Sequence, residues 1–89
     1  MVTAIILINA ERTYINDAAE TLAEMGGISE VYSVSGNYDL IAVVRVRSND
    51  ELSELVTSKM KAVKGITRTE SMLAFRAYSR HDLDAMFSL

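Results

Sequence analysis

The sequence predicts an α+β domain of the ferredoxin-like class, in which two helices pack on one face of a four-stranded antiparallel sheet. Strand-like and helix-like segments follow one another in the order β-α-β-β-α-β, and no proline interrupts them. This order is the split βαβ arrangement. A chain of 89 residues has room for one hydrophobic core, so we expect a single domain over residues 1–89.

The first half of the pattern is a strand followed by a helix. Residues 2–9 combine β-branched and apolar side chains on both alternating faces, which is typical of a central strand. Helical spacing then relates five apolar positions, Ile15, Ala18, Ala19, Leu22 and Ala23. We expect Gly26 and Gly27 to end this helix, because glycine tolerates the left-handed conformation that closes a helix.

A hairpin is predicted next. Residues 28–35 alternate loosely and lead into Gly36-Asn37, a dipeptide that favours a two-residue turn. The third strand, residues 38–46, should therefore return antiparallel to the second.

The second helix has a clear start signal. Ser48 stands three residues before Glu51, the spacing of a capping box. We expect the helix to end at Lys64-Gly65, and residues 66–78 to form a long fourth strand.

The tail favours one more short helix. Ser79 and Asp82 form a weaker capping signature, and Leu83, Met86 and Phe87 would share one face. His81 lies beside this cap, where a solvated or capping role is expected.

Composition excludes several classes of function. The formal net charge is −3, and the basic residues Arg45, Arg47, Lys59, Lys61 and Lys64 are scattered, so we interpret them as solvated and expect no direct nucleic-acid binding. The chain has no cysteine and one histidine, so we expect no disulfide, metal site or cofactor. No apolar run is long enough to cross a membrane, and we expect a cytoplasmic protein. No catalytic arrangement is recognisable.

The two central strands predict self-association. Val2, Ala4, Ile6 and Ile8 lie on one side of the first strand, and Ile5 and Leu7 on the other. Strand three has the same double-sided character. An antiparallel sheet with one wet face should alternate apolar with polar residues, so a second subunit must cover this sheet. We expect a symmetric sheet-to-sheet dimer, a dimeric α+β barrel.

Two segments carry a family resemblance. Residues 34–41, VSGNYDLI, resemble the Gly-x-Tyr-Asp turn of the Lrp/AsnC effector domain, also called the RAM domain, and residues 65–71, GITRTES, resemble its entry to the last strand. With Gly27-Ile28-Ser29-Glu30-Val31 before strand two, the similarity spans roughly residues 2 to 78.

This resemblance implies an amino-acid or small-metabolite binding module that regulates rather than catalyses. It implies dimers that assemble into larger rings, often octamers, with a free amino acid bound between neighbouring dimers. Full-length relatives carry a helix-turn-helix, whereas strand one here begins at residue 2. We therefore expect a stand-alone sensor, or a partner of full-length Lrp/AsnC regulators.

The resemblance also implies ligand-binding residues, namely Gly36, Asn37, Tyr38, Asp39, Thr67, Thr69 and Ser71. The turn would offer backbone groups to the ligand, and Asp39 would pair with its ammonium. The hydroxyls at 67, 69 and 71 would share one strand face and suit a zwitterion. Each residue also has a simpler possible role. Gly36 and Asn37 would only form the turn, Asp39 would cap it, Tyr38 would pack as a half-buried ring, and the threonines would be ordinary strand residues.

Two other functions remain open. The same topology is used by dimeric α+β barrel enzymes such as oxygenases or isomerases, although the tyrosines and His81 are dispersed along this chain. A purely structural assembly partner, with no ligand, is the third possibility.

Overall fold

The computed structural model describes residues 1–78 and Arg80. The strands are β1 (Val2–Ala10), β2 (Ile28–Ser33), β3 (Leu40–Val46) and β4 (Ile66–Ala74). The helices are α1 (Ile15–Ala23), entered through a 3-10 turn at Arg12–Tyr14, and α2 (Asn49–Glu54), which continues as a π-helical segment at Leu55–Lys59. The predicted order β-α-β-β-α-β is confirmed. The predicted tail helix, with Ser79, His81, Asp82, Leu83, Met86 and Phe87, lies outside the described residues.

The four strands form one antiparallel sheet in the order β2-β3-β1-β4. One face carries the core, because the helices cover it. Its fully buried strand side chains are Ala4, Ile6, Ile8, Leu40, Ala42 and Val44. Leu22 of α1 and Met60, which follows the π-helical segment, pack on them. The prediction of two helices on one face is therefore confirmed.

The other face of the sheet has no helix on it, and we call it the open face. Its centre is apolar and consists of Ile5, Leu7, Ile41, Val43 and Met72, which the strand register places side by side. The four aliphatic side chains from β1 and β3 are only half-buried in the single chain, and Met72 is 46% exposed. The central strands of the sheet therefore carry apolar side chains on both faces, as the sequence pattern predicted.

The hairpin between β2 and β3 differs from the prediction. Six residues, 34–39, connect the strands, and the amide of Val34 donates a 3.0 Å hydrogen bond to the carbonyl of Asp39. The predicted two-residue turn at Gly36-Asn37 is wrong. Gly36 has the positive φ that such a turn needs at its first position, but β2 ends at Ser33 and β3 begins only at Leu40, so the loop is longer than two residues.

The second helix begins as predicted and ends early. The Ser48 hydroxyl accepts a hydrogen bond from the amide of Glu51, and the Glu51 carboxylate accepts one from the amide of Arg47 at 2.7 Å. The π-helical bond from the amide of Met60 to the carbonyl of Leu55 closes the helix, short of Lys64-Gly65. Likewise, β4 stops at Ala74 rather than at 78. No helix in the described part of the chain is long and apolar enough to cross a membrane.

Candidate functional site

The two segments that carry the family resemblance meet at the end of β1. Since β1 lies between β3 and β4 and is antiparallel to both, its last residues face the first residues of each neighbour. Ile8 pairs with Leu40 of β3, and Asn9 pairs with Arg68 of β4. The turn 34–39 and the beginning of β4 therefore flank one strand end.

Asp39 fastens the turn to β1. Its backbone amide donates a 2.9 Å hydrogen bond to the carbonyl of Ile8. Its carboxylate oxygen Oδ2 accepts a 2.9 Å hydrogen bond from the amide of Ala10. Asp39 was predicted to pair with the ammonium group of a ligand. One of its carboxylate oxygens is already bonded to the backbone, and this bond corresponds to the simpler role of capping the turn.

Asn9 joins the turn to β4 and was not among the predicted residues. Its side-chain Nδ2 donates a 3.0 Å hydrogen bond to the carbonyl of Asn37, and its own carbonyl accepts a 3.2 Å hydrogen bond from the Thr67 hydroxyl. From the sequence alone, an asparagine after an apolar strand indicates only where the strand ends. The strand register is needed to see that it touches both segments.

A β-bulge at the start of β4 changes the predicted row of hydroxyls. Asn9 pairs with Arg68 and Ala10 pairs with Ile66, so Thr67 is the extra, unpaired residue. Thr69 and Ser71 keep the regular alternation, opposite Ile8 and Ile6 on the helix-covered side. The structure therefore groups Thr69 with Ser71 and places Thr67 at the bulge, bonded to Asn9.

A cavity of about 280 Å³ lies between the end of the π-helical segment and the start of β4, and we call it the β4 cavity. Its lining consists of Val56, Met60, Lys61, Ile66, Thr67, Arg68 and Thr69. It thus offers the ammonium of Lys61, hydroxyl groups and an apolar wall, and this lining includes no carboxylate. Such a set of groups can bind a carboxylate beside an apolar side chain. The guanidinium of Arg68 instead lies over Tyr38 on the open face. Ser71 and the turn residues are not part of the lining.

Tyr38 lies elsewhere, on the open face. Its hydroxyl donates a 2.5 Å hydrogen bond to Glu70, and the guanidinium carbon of Arg68 is 5.9 Å from the centre of its ring. The hydrogen bond to Glu70 raises the pKa of Tyr38 above 10.0, helped by desolvation and by the charge of that carboxylate, while Arg68 acts in the opposite direction. Within residues 1–78 and Arg80, no three acidic or histidine side chains cluster in a way that would hold a metal ion.

Comparison with known proteins identifies the family. The model of the Lrp/AsnC ligand-binding domain matches residues 3–83. An uncharacterized HTH-type transcriptional regulator of Pyrococcus furiosus is 32% identical over 59 residues, which are 66% of this chain and 39% of that protein. The chain belongs to the Lrp/AsnC ligand-binding domain family. It spans about two fifths of the length of these curated regulators of Pyrococcus.

Solved structures agree on the fold. A crystal structure from Thermus thermophilus is 44% identical, covers 90% of this chain and all of its own, and superposes with a TM-score of 0.84. AsnC of Escherichia coli covers 85% of this chain and 52% of its own, with 23% identity and a TM-score of 0.79. The ferredoxin-like α+β prediction and the family resemblance are therefore confirmed.

A weaker similarity involves an enzyme. Homocitrate synthase of Saccharolobus islandicus is 29% identical over 63 residues, which are 71% of this chain but 13% of that protein. The likeness therefore concerns a small segment of the enzyme. The two HTH-type transcriptional regulators of Pyrococcus furiosus share larger parts of their length with this chain, 39% and 49%.

Proposed function

We propose that this protein is a regulatory module that binds a free amino acid or a related carboxylate and changes its assembly in response. The observation that carries the proposal is the β4 cavity, where Lys61 and Thr69 lie beside the apolar Val56 and Met60. The ammonium group and the threonine hydroxyl would hold the ligand carboxylate, and the apolar wall would hold its side chain. Membership of a ligand-binding family supports this use of the cavity.

The ammonium end of an amino acid requires acceptors that the lining of the β4 cavity lacks. We assign this role to the turn Gly36, Asn37, Tyr38 and Asp39, through its carbonyl groups and the Asp39 carboxylate, supplied by a neighbouring copy. Thr67 and Ser71 would complete the polar surround on the β4 side. A ligand that bridges two copies binds the assembled state more tightly than the separate state, so it shifts the equilibrium towards assembly.

The building block of this assembly would be a dimer formed through the open face. Ile5, Leu7, Ile41 and Val43 remain partly exposed in one chain, and pairing two such faces would remove them from water. Burial of about 800 Å² per partner is ordinary for a stable protein contact. A ring of such dimers, such as an octamer, would bring turns and β4 cavities of different dimers together.

Calorimetric titration with each of the twenty amino acids, paired with light scattering, tests the proposal. L-methionine is a suitable first probe, because a transcriptional regulator of Neisseria meningitidis with the same fold, 12% identical and with a TM-score of 0.80, was solved in complex with L-Met. At least one amino acid should bind and change the particle mass, and Lys61→Met should weaken that binding. Lys64→Met is the matched control, since Lys64 lies outside the cavity and stacks on Tyr14. Absence of binding and of any mass change across the set would refute the proposal.

A further inference from the structure

Three basic residues that are separated in the sequence line a second cavity, at the opposite end of the sheet from Asn9. This cavity has a volume of about 490 Å³, within the range of ligand-binding pockets, and we call it the Arg45 cavity. Its lining includes Arg45, Arg47, Glu51 and Lys59, with Val46 and Leu55 below them. The chain folds so that the end of β3 meets the π-helical segment, which places Lys59 near Arg47.

The base of the Arg45 cavity is well packed. Val46 and Leu55 are buried, and the backbone of Gly27 lies against both. A Cβ atom at residue 27 would come within 2.9 Å of Val46 Cγ1 and 3.7 Å of Leu55 Cδ2. The basic side chains therefore surround a defined apolar floor and are not spread over a flat surface.

The charge of the lining is strongly positive for a chain whose net charge is −3. Arg45, Arg47 and Lys59 contribute three cations, and Glu51 is the one carboxylate in the lining. The Glu51 oxygen Oε2 is engaged by the backbone amide of Arg47, as part of the helix start. The side chain of Arg45 follows the alternation of β3 onto the open face, where its charge acts on Tyr32. Arg47 and Lys59 are therefore the two cations available to the cavity, and its one carboxylate already has a backbone partner.

We propose that the Arg45 cavity binds a small polyphosphate anion, such as inorganic pyrophosphate or the triphosphate of a nucleotide. Guanidinium groups bind phosphate oxygens in pairs, and the Lys59 ammonium adds a point charge. An anion with several negative charges matches two cations better than a single carboxylate does. The cavity is separate from the β4 cavity, and this inference stands or falls independently of amino-acid binding.

Titration calorimetry with pyrophosphate and with ATP, without added metal, tests this site. We expect the double variant Arg47→Gln/Lys59→Gln to bind either anion at least roughly ten-fold more weakly, because it loses two charge-assisted contacts. The control is Arg12→Gln/Lys64→Gln, which changes the net charge equally at exposed positions outside the lining and should bind like the unmodified protein. If the first variant does not fold by circular dichroism, Arg47→Gln alone replaces it.

Three results would overturn the assignment. The first is that the unmodified protein fails to bind pyrophosphate or ATP at about 50 mM salt, where screening is weak. The second is that both double variants lose affinity equally, which would indicate attraction to the whole chain. The third is that a short DNA duplex binds more tightly than ATP and loses its binding in the Arg47→Gln/Lys59→Gln variant, which would indicate a nucleic-acid surface instead.

Discussion

The hydroxyl of Tyr38 donates a hydrogen bond to the carboxylate of Glu70 across the central strand β1. Tyr38 precedes β3, and Glu70 pairs with Leu7 within the sheet. The bond therefore ties the predicted ligand-binding turn to β4 on the open face. It adds to the connection that Asn9 makes between the same two segments.

The titration of Tyr38 should report this bond. Because the neutral phenol is the donor and the pKa of Tyr38 is raised, the stabilising contribution is complete below pH 10.0 and is lost as the pH rises through the higher folded value. We expect Glu70→Gln to move the midpoint of Tyr38 back towards 10.0. Tyrosinate absorbance, taken as the difference between the protein and its Tyr38→Phe variant, measures it. An unchanged midpoint in Glu70→Gln would contradict the assignment, and Glu20→Gln, on α1, serves as control.

Asn9 should couple the turn to the β4 cavity. Asn9→Asp keeps the shape of the side chain but replaces the Nδ2 donor with an oxygen that faces the carbonyl of Asn37. We expect the free energy of unfolding to fall by about 1 kcal/mol, the value of one hydrogen bond, and the affinity for the amino-acid ligand to fall as well. Urea denaturation and calorimetry measure the two effects. Asn49→Asp, at the start of α2, should change neither, and equal losses in both variants would show that Asn9 has no special role.

Gly65 should not tolerate a side chain. Its φ is +95°, and an added Cβ atom would come within 2.3 Å of the Cβ of Tyr14. We expect Gly65→Ala to lower the free energy of unfolding by roughly 2 kcal/mol or more, from strain and overlap together. Gly26→Ala provides the contrast, because a Cβ atom at Gly26 has nothing within 4 Å. Urea denaturation of both variants should separate them clearly, and similar midpoints would refute this account.

The open face should control self-association. Leu7→Lys combined with Val43→Lys places two charges at the apolar centre of the face, opposite the side that carries the core. We expect sedimentation velocity at micromolar concentration to show a dimer or larger species for the unmodified protein and a folded monomer for the double variant. Ser53→Lys, at an exposed position of α2, should leave the assembly intact. A monomeric unmodified protein would remove the basis for the proposed dimer.

Much of the fold could be predicted because its signals are local. Apolar periodicity located the strands, and the spacing from Ser48 to Glu51 located the start of α2. The turn at 34–39 was mispredicted because Asp39 is held by Val34 on one side and by Ile8 on the other, which leaves four residues, 35–38, to form the loop. The π-helical turn that ends at Met60 leaves no sequence signal that we can identify, since an i→i+5 bond depends on packing.

The candidate sites depend on which residues of distant segments lie next to one another, and this cannot be read from a single sequence. Thr67 and Thr69 were expected, but their neighbour Lys61 comes from the segment after the π-helical turn. Arg45, Arg47 and Lys59 were interpreted as scattered, and only the docking of helix on strand brings them to one cavity. The bulge at Thr67 likewise becomes visible only once β4 is aligned with β1.

Two short stretches of the chain, 27–30 and 65–68, are built alike. Each begins with a glycine at positive φ whose carbonyl accepts a 2.8 Å hydrogen bond from a backbone amide, that of Arg45 in one case and that of Glu11 in the other. Each continues with isoleucine and then a hydroxyl residue, Ser29 or Thr67, at a bulge. Because each glycine carbonyl is held by a backbone amide outside its own strand, the entry to β2 is fixed to the end of β3 and the entry to β4 is fixed to the segment after β1.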